Sequence, residues 1–157
     1  MAESNFERMI QLADQVFAVK TDANQLSVDE KVISQLQRIH PASVSEYNDG
    51  NGPIAWILVF PTTLVLMTRF LRHDISEKEL FELTPPDTEY EAIYLCSALI
   101  LPEFRGKGIA KNLSIQAVES IKKDHPIKFL FVWAFTKEGN ALAEKIAALA
   151  HLPIKKL

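Results

Sequence analysis

Two strongly apolar segments, joined by a glycine-containing turn and a helix-like stretch, constrain the fold of this chain most. Residues 92–101 and 127–135 are almost wholly apolar, which is typical of β-strands covered on both faces. Residues 106–123 lie between them, and their apolar side chains recur at helical spacing. Because a strand, a helix and a second buried strand form a parallel pair with a right-handed crossover, the sequence predicts an α/β fold.

The other segments predict helices and a hairpin around this unit. Apolar residues at helical spacing, several of them preceded by capping signals such as Ser27 with Glu30, predict five further helices: residues 4–19, 27–39, 61–71, 76–83 and 138–150. Residues 44–47 and 54–60 bracket a dense cluster of turn formers, which predicts a β-hairpin. Residues 151–157 form a short last strand or a tail.

No repeat or linker divides the chain, so we predict one domain over residues 1–157. Its α/β architecture is expected to be a mixed, mostly antiparallel sheet with one central parallel strand pair. We expect helices on both faces of that sheet, because both central strands are apolar throughout.

Composition and charge exclude several classes of protein. The net charge is −3, so we expect no general basic surface and no nucleic acid partner. No apolar run is long enough to cross a bilayer and residues 1–6 contain no apolar signal segment, so we expect no membrane association. Cys96 is the only cysteine, which favours a reducing, cytoplasmic location. The four histidines lie far apart in sequence, without carboxylates or thiols at ligand spacing, so we predict no metal site.

The glycine turn carries the first functional signal. A helix that starts directly after a turn leaves backbone N–H groups unpaired, and with the helix dipole they form an anion site, most often for phosphate. Gly106 and Gly108 allow the backbone to approach a bulky ligand. Lys107 and Lys111 flank the same turn. The sequence therefore predicts a phosphate-bearing ligand at this point.

The spacing of the turn distinguishes between phosphate-binding motifs. The dinucleotide fingerprint requires a third glycine where Lys111 stands, and the Walker A motif requires a Gly-Lys-Ser/Thr sequence that the chain lacks. Arg105, Gly108 and Ala110 instead fit the pattern Arg/Gln-x-x-Gly-x-Gly/Ala. With a buried strand before it and a helix after it, this segment resembles the GNAT superfamily of N-acetyltransferases. The resemblance is specific over residues 92–150 and only architectural before them.

The resemblance implies that acetyl-CoA is the acyl donor. The backbone amides of the turn would hold the coenzyme A pyrophosphate, and the pantetheine arm would lie along the preceding strand like an additional strand. The main-chain N–H of Ala98 would polarise the thioester carbonyl. Asn140 would contact the pantetheine arm or order its pocket, although an N-cap of the last helix is a compatible reading. The coenzyme-binding residues implied in this way are Ala98, Leu99, Ile100, Arg105, Gly106, Lys107, Gly108, Ile109, Ala110, Lys111 and Asn140.

The chain departs from the family at the general acid. The frequent tyrosine of the last helix falls at Ala147, which cannot donate a proton. Tyr94 is the best substitute, because strict alternation along its strand places it in one register with Cys96 and Ala98. A core tyrosine with a satisfied hydroxyl is an equally good reading of Tyr94.

The short C-terminal segment is a second departure from the family. Residues 151–157 supply at most one strand where family members commonly have two. The acceptor side would then be built mainly from the N-terminal half. An exposed sheet edge also predicts a homodimer.

Three functions remain open from the sequence. The first is an acetyl-CoA-dependent N-acetyltransferase that acts on a primary amine of a small molecule or a protein. The second is a coenzyme A-binding regulatory module of the same fold that has lost catalysis. The third, which depends only on the anion site, is an α/β protein that binds another phosphate ligand such as a nucleotide.

Overall fold

A computed structural model of the chain describes residues 4–19, 30–133 and 136–157. Its helices and strands follow one another in this order: α1 Asn5–Val19, α2 Glu30–Ile39, β1 Val44–Asn48, β2 Pro53–Thr62, α3 Leu64–Leu71, α4 Glu77–Leu83, β3 Ala92–Ile100, α5 Ile109–Asp124, β4 Phe129–Val132, α6 Lys137–Ala150 and β5 Ile154–Lys156. Short 3₁₀ helices at Pro41–Ser43 and Pro102–Phe104 precede β1 and the glycine turn. The predicted N-cap Ser27 lies outside the described residues.

The five strands form one mixed sheet in the order β1-β2-β3-β4-β5. β1 and β2 pair antiparallel, as do β2 and β3, whereas β3 with β4 and β4 with β5 are parallel pairs. The predicted α/β class and mixed sheet are therefore confirmed. The prediction of a mostly antiparallel sheet with one parallel pair is wrong, because two of the four pairs are parallel. β5 follows the crossover helix α6 and so runs in the same direction as β4.

Helices α5 and α6 cover one face of the sheet. Val59 of β2 and Leu130 of β4 pack there against Val118 of α5 and Ile146 of α6, and all four side chains are buried. Removing such apolar surfaces from water is the main stabilising contribution to this layer.

Helices α2, α3 and α4 cover the opposite face. Phe60, Tyr94 and Phe131 of the sheet pack there against Phe70 of α3 and Leu80 of α4. Helix α1 lies on this same face near the start of β2, where Met9 packs against Ile54 and Leu99. The expected helices on both faces are confirmed. Among the described helices, none is both long and apolar enough to cross a membrane.

Capping side chains set the ends of several helices. Ser76 and Glu79 form the predicted capping box at the start of α4. Thr63 accepts a hydrogen bond from the N–H of Leu66 and caps α3. The predicted start of this helix at Pro61 is wrong, because β2 continues through Thr62.

A β-bulge interrupts the alternation of side chains along β3. Leu58 of β2 pairs with Ser97, but the next residue, Val59, pairs with Leu95, so Cys96 is an extra residue. Tyr94 therefore faces α3 beside Phe60, while Ala98 pairs with Ile57 on the α5 face. The predicted common register of Tyr94 and Ala98 is wrong, because it assumed strict alternation through this point.

Candidate functional site

The central parallel strands β3 and β4 pair over only part of their length. Ala92 to Leu95 pair with Phe129 to Val132, and β3 then continues for five residues. One edge of residues 97–100 pairs with β2. Within the described part of the chain, no strand pairs with the other edge, which faces the gap left by β4. Backbone N–H and C=O groups along such an edge bind an extended ligand in the way that they bind another strand.

A cleft of about 550 Å³ occupies this gap. Its long wall is β3 itself, through Leu95, Cys96, Ser97, Ala98, Leu99 and Ile100. The turn and α5 contribute Arg105, Ala110 and Ser114, and α6 with its cap contributes Thr136, Glu138, Gly139, Leu142, Ala143 and Ile146. Most of these side chains are apolar, and a few polar groups converge on the cleft, as in sites for organic ligands. Ala98, in the middle of the wall, is exposed.

The glycine turn leads from this wall to the start of α5. Gly106 and Gly108 both have φ +78, a left-handed conformation that favours glycine. Gly108 is the N-cap of α5, no side chain caps this end, and the N–H of Asn112 makes the first helical hydrogen bond to Gly108. The N–H groups of residues 109–111 therefore lie at an open helix end that attracts anions. The predicted helix start at 106 is wrong, because α5 begins only after the second left-handed glycine.

Three cationic side chains surround this helix end. Arg105 Nε donates a hydrogen bond of 3.1 Å to the carbonyl of Ile100, which fixes the turn to the end of β3. Lys107 Nζ lies 5.6 Å from the centre of the Phe104 ring. Lys111 Nζ lies about 4.0 Å from the point that a Cβ at Gly108 would occupy. Cations beside an open helix N-terminus favour a multiply charged anion such as a pyrophosphate.

The acidic residue Glu103, close to the turn in sequence, forms an ion pair with α1. Glu103 lies two residues before Arg105, and its carboxylate accepts a hydrogen bond of 2.6 Å from Arg8 of α1. This hydrogen bond is the largest cause that lowers the pKa of Glu103 to about 2. The contact also ties α1 to the loop that leads into the glycine turn.

The N-terminus of α6 forms the opposite wall of the cleft. Thr136 is the N-cap, and its Oγ1 accepts a hydrogen bond of 2.9 Å from the N–H of Gly139. A Cβ at Gly139 would lie 3.0 Å from this oxygen, which is a tight contact. The N-cap reading of Asn140 is therefore wrong, because the helix begins three residues earlier. Gly139 and Ala143 line the cleft, whereas Asn140 does not.

Tyr94 lies on the far side of the sheet from Ala98. It is fully buried among the rings of Phe60, Phe70 and Phe131. Its hydroxyl donates a hydrogen bond to the buried carboxylate of Glu77. Burial, and then the charge of Glu77, raise the pKa of Tyr94 well above its ordinary value. The structure thus favours the interpretation of Tyr94 as a core residue, and its side chain does not line the cleft.

Ala147, where the resemblance would place a proton donor, lies in the buried core. Its side chain is 4% exposed and it does not line the cleft. Of the coenzyme-binding residues predicted from sequence, the cleft lining includes Ala98, Leu99, Ile100, Arg105 and Ala110. The remaining turn residues lie next to Arg105 and Ala110 in sequence and are not part of the lining: Gly106, Lys107, Gly108, Ile109 and Lys111.

Ser114 is a cleft residue that sequence reasoning missed. It lies in the second turn of α5, is 2% exposed and lines the cleft. A hydroxyl in this position can donate a hydrogen bond to a ligand. The available signal was its spacing, because Ser114 lies one helical turn from each of two apolar residues, the partly buried Ala110 and the buried Val118.

No protein-family model, curated protein or solved structure matches this chain. Within the described residues, no group of three or more histidine, cysteine, aspartate or glutamate side chains is arranged to hold a metal ion. The geometry of the cleft is therefore the basis for inferring a function.

Proposed function

We propose that this protein is an acyl-CoA-dependent N-acyltransferase of the GNAT type, which transfers acetyl from acetyl-CoA to a primary amine. One observation carries the proposal: the edge of β3 that no described strand covers leads directly into the open N-terminus of α5. A ligand with an extended amide chain and a terminal pyrophosphate has matching groups in the same order. Coenzyme A is such a ligand.

The pyrophosphate end would bind at the glycine turn. The N–H groups at the start of α5, near Ile109 and Ala110, donate to its oxygens, and Arg105, Lys107 and Lys111 compensate its charge. The absence of Cβ atoms at Gly106 and Gly108 leaves room for close approach.

The pantetheine arm would lie along residues 96–100. Its two amide groups replace the backbone partners that β4 ceases to supply after Val132. The apolar side chains of Leu142, Ala143 and Ile146 would cover the arm from α6. The thioester then lies near the exposed Ala98, whose main-chain N–H polarises the carbonyl and stabilises the oxyanion.

Transfer would proceed by direct attack. The neutral amine nitrogen forms a bond to the carbonyl carbon, the oxyanion collapses, and the C–S bond breaks with departure of the thiolate. One amine proton is transferred to the thiolate directly or through water, so that an amide and free coenzyme A are the products. The hydroxyl of Ser114 supports the coenzyme by a hydrogen bond from α5.

A coenzyme A-binding regulatory module of the same fold is the second candidate. It is favoured by one specific observation, namely that Tyr94 and Ala147 both lie in the core and not in the cleft. Binding is common to both candidates, so only turnover distinguishes them.

The test is release of free thiol from acetyl-CoA in the presence of a panel of primary amines. We expect turnover with the wild-type chain and its loss in Gly108→Trp, which fills the anion site. The matched control is Gly50→Trp, because Gly50 also has positive φ, at +101, but lies in the β1–β2 turn. Binding of acetyl-CoA without thiol release for any amine would favour the regulatory module.

The proposal also includes a cytoplasmic location and a homodimeric assembly. The single Cys96 supports a reducing, cytoplasmic location. The edge strands β1 and β5 support a homodimer formed through the sheet. A monomeric mass in light scattering at working concentration would exclude that dimer.

A further inference from the structure

The cleft is lined from both faces of the sheet. Ala110, Ser114 and Leu142 belong to the face covered by α5 and α6. Leu12 and Leu99 belong to the opposite face, where they pack with Met9 of α1. The gap between β3 and β4 thus connects the two faces.

The wall on the α1 side is apolar. Leu12 comes from α1, Leu58 from β2 and Leu99 from β3. Trp133 follows β4, and its ring lies 6.4 Å from the ring of Phe70 in α3. Among the described residues on this side, no side chain that lines the cleft carries a charge. The charged lining residues Arg105 and Glu138 belong to the turn and to α6.

We propose that the acyl acceptor is a primary amine on an apolar body, which enters from the α1 side between Leu12 and Trp133. This inference rests on the proposed function, because the coenzyme would occupy the α5–α6 side and leave the α1 side for the acceptor. The alkyl or aryl body of the amine packs on Leu12, Leu58 and Trp133. Its nitrogen then reaches the thioester near Ala98 from the opposite face.

The apolar wall also accounts for activation of the amine. A free alkylammonium has a pKa near that of lysine, about 10.4. Removal from water disfavours its charged form, so the pKa of the amine falls on binding and the nucleophilic neutral form becomes accessible. This effect requires no general base beside the nitrogen. A second ammonium group on the acceptor would be desolvated against the same wall without a counter-charge, and such a substrate is disfavoured.

Two amines that differ in a single group provide the test. With saturating acetyl-CoA, we expect kcat/KM for hexylamine to exceed that for 1,6-diaminohexane by about tenfold or more, because only the second carries another ammonium group. Leu12→Asp should reduce this ratio by placing a carboxylate on the wall. Ile10→Asp is the matched control, since Ile10 lies on the same helix, is 43% exposed and does not line the cleft.

The outcomes separate this inference from the function on which it rests. A preference of the wild-type chain for 1,6-diaminohexane, with normal acetyl-CoA binding, would overturn the apolar acceptor and leave the acyltransferase intact. If Ile10→Asp and Leu12→Asp changed the ratio of the two kcat/KM values equally, the inference that the amine enters from the α1 side would be overturned. Acetyl-CoA binding without thiol release for either amine would overturn the proposed function, and the acceptor inference with it.

Discussion

Ser114 is the buried hydroxyl that α5 contributes to the cleft. A single hydrogen bond to a ligand contributes about 1 kcal/mol, which corresponds to roughly a fivefold change in a binding or rate constant. We therefore expect Ser114→Ala to lower kcat/KM for acetyl-CoA severalfold, with little change in stability. Ser120→Ala is the matched control on the same helix, because Ser120 does not line the cleft. Steady-state kinetics measure the effect, and equal values for both variants would exclude a role for Ser114.

Unlike the hydroxyl of Ser114, which lines the cleft, the hydroxyl of Tyr94 makes its hydrogen bond inside the core. Tyr94→Phe removes the donor to the buried carboxylate of Glu77, so we expect the free energy of unfolding to fall by about 2 kcal/mol. The affinity for acetyl-CoA should not change. Tyr47→Phe, at a tyrosine that is 45% exposed on β1, is the control for loss of a hydroxyl. Denaturant unfolding measures stability. Wild-type stability combined with lost turnover would instead support a catalytic role for Tyr94.

At the scale of elements, local signals predicted much of the fold. The hairpin turn closes on itself, since Asn48 Oδ1 accepts hydrogen bonds from the N–H groups of Gly50 and Gly52. The capping box at Ser76 is equally local. These contacts form between residues close in sequence, so composition and spacing are sufficient to predict them.

The features that shape the cleft depend on pairing between distant residues. The bulge at Cys96 arises from a shift in the register between β2 and β3. Nothing in the sequence around Cys96 indicates an extra residue. β4 stops at Val132, although the apolar pattern continues to residue 135. The glycine turn before α5 was therefore predictable from the sequence, whereas the position of Tyr94 and Ala147 in the core, away from the cleft, was not.

The junction of α5 with β3 predicts a dependence of stability on pH. His125 follows the last residue of α5, and its Nδ1 accepts a hydrogen bond of 3.4 Å from the N–H of Tyr90. Burial, and then the nearby His40, lower the pKa of His125 below its ordinary value of 6.5. The unfolded chain therefore binds the proton more readily, so this stabilisation is present above pH 6.5 and is lost as the pH falls through the folded pKa.

We expect the free energy of unfolding to fall between pH 7.5 and pH 5, and to fall less steeply in His125→Gln. His73→Asn is the control, because His73 is exposed and asparagine tolerates its positive φ of 63. Denaturant unfolding at several pH values measures both slopes. The same slope in His125→Gln and in the wild-type chain would exclude His125 as the titrating group.

In the molecule as a whole, the sheet separates the proposed coenzyme site from the proposed acceptor site. In the proposed function, the glycine turn with Arg105, Lys107 and Lys111 binds the anion, while the apolar wall on the α1 side receives the acceptor. The ion pair between Arg8 and Glu103 links these parts across the end of the sheet. The gap after Leu95 is the one place in the described chain where β3 is accessible between the two faces.

Binding of acetyl-CoA at the glycine turn is tested by isothermal titration of acetyl-CoA into the wild-type chain, Gly108→Trp and Gly50→Trp. Melting temperatures of the two variants should agree, because each places a side chain at an exposed or half-exposed glycine of positive φ. We expect micromolar binding by the wild-type chain and by Gly50→Trp, and its loss in Gly108→Trp. Absence of acetyl-CoA binding by the wild-type chain, or binding of ATP in its place at the same turn, would contradict this expectation.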